Sequence, residues 1–226
     1  MPGPAKHVTR SLTLHFHPLS SFCHKVLIAL YENDTPFTPQ IVNLMDEGER
    51  TAFRKLWPIG KFPVLRDDAR GKTVPESSIV VEYLDRHYPG VTHFIPSDAE
   101  AARKVRLNDR FFDLYIHLPM QKIVGDRLRP ADKKDPHGVA EARAQIANAL
   151  DMIERGMLQH PWAIGEGFTL ADCAAAPSLF YADKVMSFGA THPNAAAYLE
   201  RLKQRPSYAR VLQEAEPYFK FFPQES

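Results

Sequence analysis

Ser11-Leu12-Thr13-Leu14-His15-Phe16-His17-Pro18-Leu19-Ser20-Ser21-Phe22-Cys23-His24-Lys25-Val26 changes its hydrophobic period part-way along. Up to His17, apolar and polar residues alternate, which predicts a strand with Leu12, Leu14 and Phe16 on one face. Pro18 to Ser21 breaks the alternation, and residues 22–31 follow a helical spacing that turns Val26, Leu27, Leu30 and Tyr31 inward. Asn33-Asp34 ends that helix. Further on, residues 37–44 read as a short strand that Pro39 confines to a sheet edge. Residues 47–57 read as a polar, weakly amphipathic helix, and Phe62-Pro63-Val64-Leu65 as a third strand. A turn through Asp67, Asp68 and Gly71 leads to a fourth strand, Lys72-Thr73-Val74. Residues 76–87 form a helix with Ile79, Val80, Tyr83 and Leu84 on one face. The order is βαβαββα, an α/β domain. Pro89-Gly90 and Pro96-Ser97 then bracket a linker, and from Ala99 onward the pattern is helical with no returning strand signal. The expected division is an α/β domain over 11–89, a linker over 90–98 and an all-helical domain over 99–226, with residues 1–10 a loose tail.

Composition limits the function classes. The chain has 226 residues, 44% of them hydrophobic and 24% charged, which is the make-up of a globular protein with a sizeable core. A net charge of +1 gives no overall attraction to nucleic acid or to an anionic membrane surface. No window reaches the ~18 apolar residues of a membrane span. The first eleven residues carry Pro2 and Pro4 and no apolar core of a secretion signal. Cys23 and Cys173 are too few for a disulfide framework, so a cytoplasmic location is expected.

Three short segments carry potential chemistry. Ser20 and Ser21 stand where the free N–H groups of the first helix begin, a setting that favours an anion or a thiolate. A serine there is also an ordinary helix cap. In Lys61-Phe62-Pro63-Val64-Leu65, a cis Phe62–Pro63 bond would turn the Phe62 backbone outward for an extended peptide, whereas a trans proline would suit an edge. Val74-Pro75-Glu76-Ser77-Ser78 opens another helix, where Glu76 and Ser77 offer an acceptor for an ammonium and donors for a carboxylate, or simply cap the helix.

Taken in this order, and followed by Phe168-Thr169-Leu170-Ala171-Asp172 in the helical half, these segments resemble the cytosolic glutathione transferases over nearly the whole chain, from Leu12 to about Phe219. Ser20 falls where the serine classes (tau, phi, zeta) carry their catalytic serine and the omega class a cysteine. Tau is nearest in Lys61-Phe62-Pro63 and Pro75-Glu76-Ser77, zeta in Ser20-Ser21. The resemblance implies a thioredoxin-like N-terminal domain and a helical C-terminal domain, with glutathione as co-substrate and no metal. Ser20 would hydrogen-bond the glutathione sulfur, and Phe62 before cis Pro63 would pair with the cysteinyl backbone. Glu76 and Ser77 would hold the γ-glutamyl end, and Lys61 the glycyl carboxylate, with Arg50, Arg54 or Lys55 as a second base. The other substrate would be a small hydrophobic electrophile, lined by Phe22, Phe111 and Tyr115, and the chain would be a homodimer. A non-catalytic binding or regulatory protein of the same fold, and a glutathione-dependent isomerase, dehalogenase or peroxidase, are the competing functions.

The remaining features read as structural. Cys23, three residues after Ser20, and Cys173 are core residues, and His15, His17 and His24 lack the spacing of a metal site. Thr169-Leu170-Ala171-Asp172 is a capping box, Pro177 should bend its helix, and the aromatic tail from Tyr218 to Phe222 either lids the site or covers the helical domain.

Overall fold

In the computed structural model, described over residues 11–157 and 160–224, the strand–helix switch begins a four-stranded sheet. The expected tail of residues 1–10 lies outside the described residues. β1 (Leu12–Phe16) is followed by α1 (Ser21–Glu32), β2 (Thr38–Ile41), α2 (Glu47–Leu56), β3 (Val64–Asp67), β4 (Lys72–Pro75) and α3 (Ser77–His87). The strand order is β2-β1-β3-β4, with β2 parallel to β1 and the other pairs antiparallel. The parallel pair requires a crossover, which α1 supplies. Leu12, Leu14 and Phe16 enter the main core with α1 and α3, while the opposite face carries His15 against Phe53 of α2.

Three elements differ in extent or burial from their sequence readings, and on α3 Ile79 is exposed rather than sharing the buried face of Val80 and Leu84. β3 begins at Val64, after Pro63, because proline has no N–H to give the ladder, and the register starts at His15 opposite Val64. β2 is shorter than expected, and all four of its residues are exposed at the sheet edge. α1 is buried at Ser21 and from Cys23 through Leu30 rather than along one stripe. It is packed against α3 on one side and against the helical half on the other.

The helical half contains α4 (Ala99–Phe111), α5 (Leu118–Arg127), α6 (Pro136–Met152), α7 (Leu170–Val185), α8 (Pro193–Gln204) and α9 (Pro206–Ala215). α4 runs into α5 through a widened, π-helical stretch, Phe112–His117. α7 and α9 both pack on α1. The capping box at Thr169 and Asp172 is complete, and Asp172 also accepts hydrogen bonds from Ala163 N (2.8 Å) and the Tyr198 hydroxyl (2.6 Å). Glu32, at the end of α1, is ion-paired with Arg205, whose guanidinium lies 4.0 Å from the Phe168 ring centroid. The aromatic tail covers the helical half, with Phe222 stacked on Tyr181 and Phe219 against Phe180. Tyr218 alone of these reaches the α/β half, edge-on to His17 at 5.7 Å. Among the described residues, no helix is long and apolar enough to cross a membrane.

Candidate functional site

The register explains why three separated segments meet. His15 pairs with Val64, and Val64 pairs with Pro75. The end of β1, the start of β3 and the end of β4 therefore lie side by side at one edge of the sheet. Ser20, Phe62–Pro63 and Glu76–Ser77 follow or precede those strand ends directly, so they converge there. The N-termini of α1 and α3 open at the same edge, which makes it favourable for negative charge.

The serine turn is held from several sides. His24 Nε2 lies 2.6 Å from the Pro18 carbonyl oxygen, and the Tyr181 hydroxyl donates to that of Leu19 at 2.9 Å. Ser20 caps α1: its carbonyl accepts from Cys23 N and His24 N, and its half-buried hydroxyl accepts weakly from Cys23 N at 3.4 Å. That bond does not use the Ser20 hydroxyl proton, which is also within hydrogen-bond reach of the buried Cys23 thiol. Ser21 is different. It is buried, and its hydroxyl is bonded to His117 Nε2 at 2.8 Å. The two adjacent serines are thus separated by their partners, one engaged across the domain boundary and one open at the helix N-terminus.

The Phe62–Pro63 peptide is cis, and Phe62 forms no backbone–backbone hydrogen bond among the described residues. Its ring stacks on His17 at 6.1 Å. Glu76 sits at φ 69°, ψ 119°, in the left-handed half of backbone space that a residue with a Cβ rarely occupies. Its side chain is exposed and makes no capping hydrogen bond, so capping does not explain the residue. Lys61 is exposed. Of the three further basic residues, Arg54 lies against Gly60, the residue before Lys61: a Cβ on Gly60 would meet Arg54 Nε at 3.1 Å. Arg50 instead donates to the Leu44 carbonyl at 2.9 Å.

Behind the site lies a buried polar cluster that sequence reasoning missed. Lys25, only 1% exposed on α1, is ion-paired with Asp109 and, at 2.9 Å, with Asp113. Its ammonium also donates to Ser78 Oγ at 2.9 Å, and Ser78 donates to Asp109 Oδ2 at 2.8 Å. Arg110 closes the cluster onto Ser78 (2.9 Å) and Asp113 (2.5 Å). Burial pushes the Asp113 carboxyl up, and Lys25 works against that shift. The widened turn Phe112–His117 contributes both Asp113 and His117 to this inner face. Lys25 within an apolar helical run was the available signal, since a buried lysine requires a partner.

The comparisons agree on a family. Residues 14–92 match the glutathione S-transferase N-terminal domain and residues 136–201 its C-terminal domain. A glutathione S-transferase-like protein of a Fusarium species is 31% identical over 150 residues, spanning 66% of this chain and 64% of its own length. A glutathione S-transferase of Pseudomonas putida is 28% identical, covering 91% of this chain and 93% of its own. A stringent starvation protein A homolog of Histophilus somni is 27% identical over 91% of this chain and 92% of its own. Among solved structures, a glutathione S-transferase of Methylobacillus flagellatus with glutathione bound superposes with a TM-score of 0.81 at 25% identity, covering 89% of this chain and 98% of its own. The chain belongs to the glutathione transferase family of enzymes. Its thioredoxin-like sheet and helical C-terminal half are the fold of that family.

In this glutathione transferase the three residues expected to line an electrophile pocket are in different settings. Phe22 is half-buried and stacks on His117 at 3.9 Å, one residue from Ser21. Phe111 is buried against Phe112, and Tyr115 is exposed with its ring against Phe111. Phe22 is therefore the one held beside the serine turn. Cys23 is fully buried and its thiol is pushed up to about 12, so it is packing rather than chemistry; Cys173 is buried likewise. Among the described residues, no group of three His, Cys, Asp or Glu side chains is placed to hold a metal ion.

Two buried histidines give the fold an acid liability. Burial lowers His117 to about 3, with the charge of Lys25 adding to the effect, and lowers His24 to about 4. Both are neutral when folded, whereas the unfolded chain takes up protons below the ordinary value of 6.5. Their contribution is complete above 6.5 and is lost as pH falls toward 4 and then 3, at ~1.4 kcal/mol per pH unit for each histidine. Denaturant unfolding of His117→Gln between pH 7 and pH 4 should show an acid slope shallower by about that amount. An unchanged slope would mean that His117 takes up protons in the folded protein.

Proposed function

We propose that this protein activates the thiol of glutathione as a thiolate for attack on a small hydrophobic electrophile. The observation that carries the reading is the meeting of the Ser20 hydroxyl, a cis Phe62–Pro63 corner and two helix N-termini at one end of the sheet. In this reading Ser20 donates its proton to the glutathione sulfur. Phe62 pairs through its backbone with the cysteinyl unit beside Pro63. Glu76 accepts from the γ-glutamyl ammonium, Ser77 and the α3 N-terminus bind its carboxylate, and Lys61 with Arg54 binds the glycyl carboxylate. A free thiol near pKa ~8.5 is only a few per cent ionised at pH 7. Lowering it by about two units requires ~2.7 kcal/mol, within reach of one hydroxyl hydrogen bond to an anion plus a helix N-terminus. Phe22 on α1 is the first candidate wall for the electrophile, with Phe111 at the end of α4 and Tyr115 in the widened turn as the others. The division at 11–89, 90–98 and 99–226, a cytoplasmic location and a reaction without a metal belong to the same proposal.

Glutathione should raise the melting temperature, because only the folded chain has the site; at about 100 times Kd the gain is ~2.7 kcal/mol. Glu76→Ala should lose most of that gain by leaving the ammonium without its acceptor. No shift with millimolar glutathione would instead favour a binding or regulatory role without turnover. The likeness to a stringent starvation protein A homolog keeps that second reading in view.

A homodimer is the expected assembly. Ile79 on α3 and Leu107 on α4 are more than half exposed, and Leu114 and Leu118 beyond it are exposed as well. Exposed apolar residues of this kind suit a two-fold interface. Sedimentation at micromolar concentration should show a species of twice 25.6 kDa, and a single monomeric boundary would refute the dimer.

A further inference from the structure

The molecule has a second cavity, of about 500 Å³, between α1, the β2 edge and α9. Ser20, Phe62 and Ser77 do not line it, although one end reaches the serine turn through Phe16 and Pro18. Its volume is in the range of small-molecule sites. The body is apolar: Leu27 and Leu30 from α1, Phe37 before β2, and Val211 and Ala215 from α9. Tyr31 and Tyr218 add aromatic walls.

The mouth is polar and its charges do not cancel. Glu214 accepts from the Tyr31 hydroxyl at 2.5 Å and pairs with Arg210 Nε at 2.9 Å. The Arg210 guanidinium lies flat over the Tyr31 ring at 3.9 Å, so it is occupied by both neighbours. Asp34 also lines the cavity, is exposed, and forms no ion pair among the described residues. It is near enough to help raise the Arg210 pKa, though Glu214 does most of that. One carboxylate is left over at the mouth of an apolar cavity. We propose that this cavity is a ligand site for an amphipathic cation, with an aromatic or alicyclic body against Pro39, Ile41 and Tyr218 and its ammonium at Asp34.

A matched set of probes tests this: naphthylmethylamine, the neutral naphthalenemethanol and the anionic naphthylacetate share a ring system and differ in charge. Titration calorimetry on the whole protein should find the amine bound most tightly and the acetate about tenfold more weakly. Asp34→Asn, an exposed change, should weaken the amine about three- to fivefold and leave the alcohol unaffected. Val211→Phe, which moves a ring into the cavity, should remove binding of all three. Glutathione should not displace the amine, since Asp34 follows the C-terminal end of α1 whereas Ser20 caps its N-terminal end. This separates the proposal from the glutathione reading, because the amine can bind whether or not glutathione does. The proposal is overturned if no probe binds at millimolar concentration, if acetate binds as well as amine, if Asp34→Asn leaves the affinity for the amine unchanged, or if glutathione competes. Should Val211→Phe fail to fold, the Asp34→Asn comparison decides alone.

Discussion

Ser20→Ala should reduce the conjugation rate about 100-fold while glutathione affinity moves less than about threefold. In the proposed site the peptide would be gripped through Lys61, Phe62, Glu76 and Ser77, none of which the substitution touches. What is lost is a donor aimed at the sulfur, and a donor that favours the anion acts on the reacting state more than on the resting complex. Ser21 cannot take over, because its hydroxyl is buried and bonded to His117 at 2.8 Å. Ser20→Cys should change the chemistry instead of abolishing it. A thiol at a helix N-terminus has a lowered pKa and attacks disulfides itself. On a mixed disulfide of glutathione, the introduced thiolate would take the glutathionyl group and release the other thiol; a second glutathione would then restore it and leave as glutathione disulfide. Cys23 has the spacing of a resolving thiol but is fully buried and pushed up to about 12, so resolution should require free glutathione. Paired assays of conjugation and disulfide reduction on the three proteins check this. Full conjugation by Ser20→Ala would place the activating group elsewhere and overturn the site assignment.

The parts of this molecule that were legible in the sequence are those written in local patterns. The alternation of residues 11–17, the helical spacing after Phe22 and the proline at 63 each depend on neighbours in the chain. They led to the sheet, the crossover and the corner where Ser20, Phe62 and Glu76 meet. What was not legible is what depends on contact between the two halves. A strand-facing helix and a helix buried on all sides share much of their apolar pattern, so α1 read as half-exposed. Ser21 and His117 are 96 positions apart, and Lys25 and Asp113 are 88 apart, so no spacing rule joins them. The widened turn that brings Asp113 and His117 inward shifts the face each residue presents, which a regular helical count from Phe111 misassigns. The left-handed backbone at Glu76 had no local signal either, because glycine is the residue that usually announces it.

Lys25→Met should cost about 3–5 kcal/mol of stability, measured by denaturant unfolding at pH 7. Methionine fits the space, so the cost is not one of volume. It comes from Asp109 and Asp113, which are 2% and 4% exposed and lose their shared ammonium. Arg110 reaches both carboxylates, but its side chain is half exposed and compensates only in part. Attraction and desolvation nearly cancel in an intact buried pair, whereas an orphaned carboxylate bears the whole desolvation cost. The two contributions can be separated. Adding Asp113→Asn to Lys25→Met should recover a substantial part of the loss, although of the cluster's ion pairs the double variant keeps only Arg110–Asp109. If the double variant is no more stable than Lys25→Met alone, the lost attraction was dominant; if Lys25→Met itself is within about 1 kcal/mol of wild type, Arg110 or water already satisfies the carboxylates. Function gives an independent readout. Ser78 hydrogen-bonds Lys25, Asp109 and Arg110 and is the neighbour of Ser77, so loosening the cluster should raise the glutathione KM more than it lowers kcat. Ser20, held by its own turn through Pro18, Leu19 and Cys23, should keep its position.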